Sequence, residues 1–219
     1  MANYNYIVIE GNIGAGKTSL ATMIAEEFNA KLILEQFEEN SFLPKFYSDP
    51  LRYAFPLELS FLADRFQQMK THAVTMDVFH PYIISDYHIQ KSIIFARKTL
   101  QADEFQLFSK LFHLMVTQLP SPELMVYLYL DVEHLMANIR KRARQFEQNI
   151  SADYLQSIQD SYFEFMKQQK NLRTLIIDTN HLDFVTQNAD YELLRNLINQ
   201  KYPLGITRIQ PKWNIVTFF

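Results

Sequence analysis

Residues 11–18 read Gly11-Asn12-Ile13-Gly14-Ala15-Gly16-Lys17-Thr18, a match to the pattern G-x-x-x-x-G-K-[ST]. An apolar run ends at Glu10, immediately before it. A stretch with helical spacing opens at Lys17. Strand, glycine turn and helix in that order let backbone N–H groups converge on phosphate oxygens, and the helix N-terminus adds partial positive charge. Lys17 is placed to reach the β- and γ-phosphates of a nucleotide, and Thr18 to hold Mg2+. The chain has four glycines, and Gly11, Gly14 and Gly16 are three of them. That concentration makes a chance match at a tight turn the poorer account.

Outward from this loop, apolar runs at 4–10, 31–34, 82–85, 124–130 and 172–178 read as buried strands. Helical spacing covers 17–28, 51–76, 88–118, 133–147, 152–170 and 187–201. The alternation predicts an α/β fold of three layers, a five-stranded parallel sheet flanked by helices, in a single domain over 1–219. The tail, 207–219, carries Trp213 and two final phenylalanines, and either adds a strand or packs on the body.

Net charge is −3 with no cysteine, and 48% of residues are hydrophobic. A protein that coats DNA or RNA usually carries a basic excess, so no nucleic-acid polymer is expected as a partner. Disulfides and thiolate zinc sites are excluded. No segment reaches the roughly 18 apolar residues of a membrane span, and the start lacks the cationic and apolar regions of a signal peptide. A cytoplasmic protein is the default expectation.

A GTPase would carry an N-K-x-D motif, which is absent. A motor or ABC-type ATPase would be longer. Residues 136–144, MANIRKRAR, supply Arg140, Arg142 and Arg144. On a helix Arg140 and Arg144 share a face while Arg142 points elsewhere. All three address one site only if the helix ends there and 145–151 folds over as a lid, a recognised device of phosphoryl transfer. The bland alternative is a solvated basic face. Glu35 follows the second apolar run, where a parallel sheet opens its ligand crevice. A carboxylate there can accept the proton of an attacking hydroxyl. Asp86 ends the third run and suits Mg2+, directly or through water. A helix N-cap or a loop end is the plainer reading of each.

These features resemble the deoxynucleoside kinase family over most of the chain, least after about residue 185. EGNIGAGKTSL, residues 10–20, is similar to the family's phosphate loop. The likeness implies ATP and Mg2+ as cofactors, with Gly11 through Ser19 and Arg140 on the nucleotide. Glu35 in LEQFEEN matches the family's general base, although Gln36 replaces the following proline. FYSDPLRYAFPLELSFLADRF, residues 46–66, resembles the substrate helix. Tyr47 matches a tyrosine at the sugar 3′-hydroxyl and Arg65 an arginine near the base, while Glu58 stands where the family has glutamine. In the lid, about 142–151, Arg142 and Arg144 match phosphate ligands and Glu147 a 3′-hydroxyl ligand. Residues 178–183, DTNHLD, fall where the family wraps the adenine of ATP, which places Asp178 and Asp183 there. Ser85-Asp86-Tyr87 stands against an acid-Arg-Ser triplet, and counting back from Ile94-Phe95-Ala96 puts the acid at Ser85 instead. The second base-reading residue is Lys91 or Ser92.

The resemblance implies transfer of the ATP γ-phosphate to the 5′-hydroxyl of a deoxynucleoside, by a homodimer. Glu58 suggests a purine. A carboxylate only accepts, and guanine offers N1–H and N2–H2 side by side. Arg65 or Lys91 would serve guanine O6, or else would neutralise Glu58 in a salt bridge. The alternatives are a thymidylate-type kinase, in which an arginine should follow the acid near residue 86, and a regulatory nucleotide-binding module without transfer.

Overall fold

β1, Tyr6–Gly11, is buried along its whole length, as a strand at the centre of a parallel sheet should be. Its odd residues Ile7 and Ile9 face one apolar layer, with Leu20, Ile24, Leu135, Leu194 and Leu197. Its even residues Tyr6 and Val8 face another, with Ile33, Met69 and Tyr87. This alternation covers the sheet on both faces. Each fully buried aliphatic side chain contributes about 1.5–3 kcal/mol relative to exposure.

The structure, a computed structural model, describes residues 3–36, 40–72, 79–144, 147 and 150–211. The other strands are β2 (Lys31–Ile33), β3 (Ile83–Ser85), β4 (Leu124–Tyr129), β5 (Arg173–Asp178) and β6 (Gly205–Ile209). Their order is β2-β3-β1-β4-β5-β6, and every pairing is parallel. The sheet therefore has six strands rather than the five expected. The extra strand lies at the edge and is only partly buried, so its sequence, GITRI, lacks an apolar run. Residues 212–219, including Trp213, lie outside the described residues.

α1 (Lys17–Phe28) starts at the phosphate loop and ends at Asn29, which takes the left-handed conformation. The stretch expected as one substrate helix is two: α2 (Leu43–Ser48) and α3 (Pro50–His72). Asp49 precedes a proline, which disfavours helical backbone there. The stretch expected over 88–118 also divides, into α4 (Gln90–Thr99) and α5 (Ala102–Val116). Gln101 and Glu104 form a capping box that starts the second helix. α6 (Val132–Arg142), α7 (Ala152–Gln168) and α8 (Asn188–Ile198) complete the layers. Among the described residues no helix is long and apolar enough to cross a membrane.

Candidate active site

Gly14 and Gly16 both sit at φ +86, a region side chains rarely enter. A Cβ on Gly14 would lie 2.9 Å from the Leu135 carbonyl oxygen, and one on Gly16 would lie 2.7 Å from the Phe184 ring. The loop needs glycine for its curvature and for these close approaches. Two asparagines fasten it. Asn138 on α6 donates to the Gly14 carbonyl at 2.9 Å, and Asn12 donates to the Leu155 carbonyl on α7 at 2.8 Å. Lys17 folds back to donate to the Asn12 carbonyl at 2.9 Å. Burial and the nearby Lys91 charge lower its pKa to about 8, against the pull of Glu10, Glu35 and Asp86.

Beneath the loop, Glu10 is 1% exposed. It accepts from the His88 backbone N–H at 2.7 Å and the Tyr162 hydroxyl at 2.9 Å. Burial raises its pKa, with Lys91 and Lys17 opposing.

Asp86 is the acid that faces the loop. Its Oδ2 accepts from the Thr18 hydroxyl at 2.5 Å, and its Oδ1 accepts from the Glu35 backbone N–H at 2.8 Å. Ser85 instead donates to the Tyr87 carbonyl at 2.8 Å, and Tyr87 donates to Gln68 Oε1 at 2.5 Å. Tyr87 is fully buried and packs in the core. Thr18 and Asp86 thus offer adjacent hard oxygen atoms, a donor set that fits Mg2+ shared with phosphates.

Glu35 is gripped from two sides. Arg65 donates Nε and Nη2 to its Oε1 at 2.8 and 2.6 Å, and Lys91 donates to its Oε2. Burial alone would raise the pKa of Glu35, but the charges and hydrogen bonds of Lys91 and Arg65 prevail and hold it at about 2. Arg65 also donates Nη1 to Ser92 at 2.8 Å. Arg65 and Lys91, offered by the sequence either to guanine O6 or to Glu58, make their ion pairs with Glu35 among the described residues and act on Glu58 through their charge. Of the two candidates for the second base-reading position, Lys91 lines the cleft and Ser92 supports Arg65.

Glu58 is 3% exposed, beside Leu57 and Phe61 in the same cleft. Thr99 donates to its Oε1 at 2.9 Å. Burial pushes its pKa up to about 7, against Arg65, the Thr99 hydrogen bond and Lys91. Tyr47, Phe46 and Phe95 add aromatic walls. Across the mouth, Arg142 donates Nε and Nη2 to Glu147 Oε2 at 3.1 and 2.5 Å, and Arg144 lies 3.6 Å from Glu147 Oε1. α6 ends at Arg142 and Ala143 is left-handed, so Arg144 stands beyond the helix instead of sharing a face with Arg140. Of the expected lid, residues 145, 146, 148 and 149 lie outside the described residues.

A second cleft opens on the other side of the loop, lined by Gly14, Ala15, Gly16, Ser19, Asp183 and Phe184. Arg142 and Gly14 border both clefts. Ile13 borders the first, while Gly11 is buried at the end of β1. Arg140 is exposed and borders neither cleft. Asp178 does not line the second cleft either; it accepts from the backbone and side chain of Asn180 and shapes the loop from behind. Sequence reasoning missed Thr99, Tyr154, Phe95 and Asn138. The spacing of four from Lys91 through Phe95 to Thr99 was an available signal.

A phosphate loop at the end of a central parallel strand, with carboxylates at the neighbouring strand ends and arginines over the mouth, defines a P-loop phosphotransferase. The family model for deoxynucleoside kinases matches residues 7–202. The chain is 37% identical over 195 residues to a deoxyguanosine kinase of Bacillus subtilis (strain 168), covering 85% of this chain and 92% of that one. It is 30% identical over 202 residues to a deoxyadenosine kinase of Dictyostelium discoideum, covering 90% and 79%. A deoxyadenosine kinase structure from M. mycoides with bound dATP shares the fold, with TM-score 0.76, 23% identity, and coverage of 89% of this chain and 99% of that chain. The chain belongs to the deoxynucleoside kinase family and is an ATP-dependent kinase.

Proposed function

We propose that the protein transfers the γ-phosphate of ATP to the 5′-hydroxyl of a purine deoxynucleoside in nucleotide salvage, with deoxyguanosine ahead of deoxyadenosine. The observation that carries this reading is Glu58, a buried carboxylate in the nucleoside cleft whose hydrogen-bond partner among the described residues is the Thr99 hydroxyl. Ionised, it accepts both N1–H and N2–H2 of guanine. The similarity to the Bacillus subtilis deoxyguanosine kinase supports the same choice.

In this reading the loop from Gly11 to Ser19 holds the phosphates, and Thr18 and Asp86 hold Mg2+, which supplies charge neutralisation at the phosphates. Asp183 and Phe184 border the adenine side. Glu35 is ionised and faces the 5′-hydroxyl. Its two cations make it a weak base, so it aligns the hydroxyl and takes the proton late, as the new O–P bond acidifies it. Tyr47 and Glu147 flank the sugar and favour a 2′-deoxyribose.

Measuring kcat/KM for the four deoxynucleosides with ATP tests the proposal. Deoxyguanosine is expected to lead, and a pyrimidine in first place would refute the assignment of the base.

Arg142 grips Glu147 through two nitrogens, a geometry an ammonium cannot reproduce. Arg142→Lys is expected to lower kcat by about tenfold or more, the equivalent of one charge-assisted hydrogen bond. Near-normal kcat in this variant would return Arg142 to a merely solvated role.

A further inference from the structure

Lys91, Phe95 and Thr99 are spaced four apart along α4 and so form one helical stripe. The first two line the nucleoside cleft. Thr99, the last residue of the helix, is half-buried against Glu58. Its Oγ1 lies 2.9 Å from Glu58 Oε1 and 3.1 Å from the Phe95 carbonyl oxygen. A threonine hydroxyl has a single proton, so it serves one of these two acceptors at a time.

We propose that Thr99 is a positioning residue for base selection: its hydroxyl holds Glu58 as an acceptor-only carboxylate turned to the base, and swings to the Phe95 carbonyl when Glu58 takes up a proton. The inference rests on Glu58 being the reader of the base. Each carboxylate oxygen offers two lone pairs, so Oε1 accepts from Thr99 and remains open to guanine. A neutral carboxyl is a weaker acceptor, and the helix carbonyl then competes for the Thr99 proton. A protonated Glu58 donates and accepts like a glutamine, which suits N1 and N6–H2 of adenine.

The charged and titratable groups facing Glu58 are Arg65 on α3, Lys91 on α4, Glu35 after β2, Tyr47 on α2 and Tyr154 on α7. Arg65 and Lys91 bond Glu35. Thr99 therefore supplies the hydrogen bond that favours the ionised form of Glu58. Burial drives the carboxyl the other way and brings its balance point to about 7. A single hydrogen bond consequently tips a group already poised near neutrality.

The test is Thr99→Val, which keeps the shape and removes the hydroxyl. The ratio of kcat/KM for deoxyguanosine to that for deoxyadenosine is followed from below to above neutrality. Titration of Lys17 or the phosphates affects both substrates and cancels in the ratio. Thr99→Val is expected to cut the ratio about tenfold at neutral pH, mainly through KM for deoxyguanosine, and to move its turnover to higher pH. Thr99→Ser is expected to restore both. If Thr99→Val does not fold, Thr99→Ala carries the same comparison. A wild-type ratio and an unmoved turnover in the valine or alanine variant would overturn the role of Thr99. The same profile in Glu58→Gln separates the two levels. If it changes the ranking while Thr99→Val does not, only the Thr99 inference falls. If it leaves the ranking unchanged, the base reading falls with it.

Discussion

Glu35→Gln is expected to lower kcat by about 10²–10⁴-fold, the usual worth of general-base assistance. Stability should fall with it. The substitution leaves Arg65 and Lys91, both buried, facing a neutral amide. Breaking a buried pair by removing one partner costs about 3–5 kcal/mol, and the low end applies because the amide oxygen still accepts one bond. Single-turnover kinetics and thermal unfolding on the same sample separate the two effects. A loss of activity below about tenfold, with chemistry rate-limiting, would remove Glu35 from proton transfer. The linkage has a definite sign. The folded-state pKa of about 2 lies below the ordinary 4.5. The stabilisation from Glu35 is therefore fully present above 4.5 and is lost as pH falls toward 2.

Glu58→Gln is expected to reverse the purine preference. Guanine would meet an amide that offers one acceptor and one donor, and the donor would oppose an N–H of the base. Adenine would gain a complementary pair. A site that reads a base through buried hydrogen bonds discriminates steeply because the wrong base leaves polar groups unpaired. A swing of about 10²–10⁴ in the ratio of the two purine kcat/KM values is expected on that ground. The variant should also flatten the pH dependence of the ratio. In the wild type Glu58 has its pKa raised from 4.5 to about 7. Falling pH protonates it across that value, so the deoxyguanosine preference should weaken on acidification and strengthen on alkalinisation. Its stability contribution runs opposite to that of Glu35. The folded state binds this proton more tightly than the unfolded chain, so stability declines as pH rises from 4.5 toward 7. A ratio that does not depend on pH in the wild type would contradict the assignment.

The phosphate loop was the most legible part of the chain because the chemistry is local. Its glycines, its lysine and its threonine fall within the eight residues 11–18, and the strand and helix beside it carry their own patterns. The four inner strands were legible because burial on both faces writes itself as apolar runs, and the edge strand β2 because Leu32, Ile33 and Leu34 still make a short one. β6 was not, because this edge strand keeps Thr207 and Arg208 and buries only Ile209 fully. The break at Leu100–Gln101 was hidden by apolar spacing that continues through it, although the capping pair Gln101 and Glu104 was a local sign; helical spacing opened only at residue 51, so α2, ahead of Asp49, was reached only through the resemblance of 46–66. Glu35 and Asp86 could be picked out as strand-end carboxylates. Their partners could not, since Lys91 reaches Glu35 across 56 residues of chain. Glu58 stood out as a departure from a glutamine, but only the fold shows that the nearby cations are engaged by another acid.

β1 has no neighbour in sequence to pair with. Its partners are β3, through Tyr6↔Ile83, and β4, through Ile7↔Leu124. At about 5–20 residues per second, a ribosome needs on the order of ten seconds to deliver the second partner after the first strand has emerged. The strand that carries the phosphate loop has no partner on either edge until Ile83 is made and an open edge until Leu124 is, and no nucleotide can brace it because the rest of the cleft is not yet made. Closing such distant pairings is entropically slow. The most recognisable element of the sequence is therefore an element that must wait for its context, and the nascent chain has to keep YIVIE from other strands until Leu124–Tyr129 arrives.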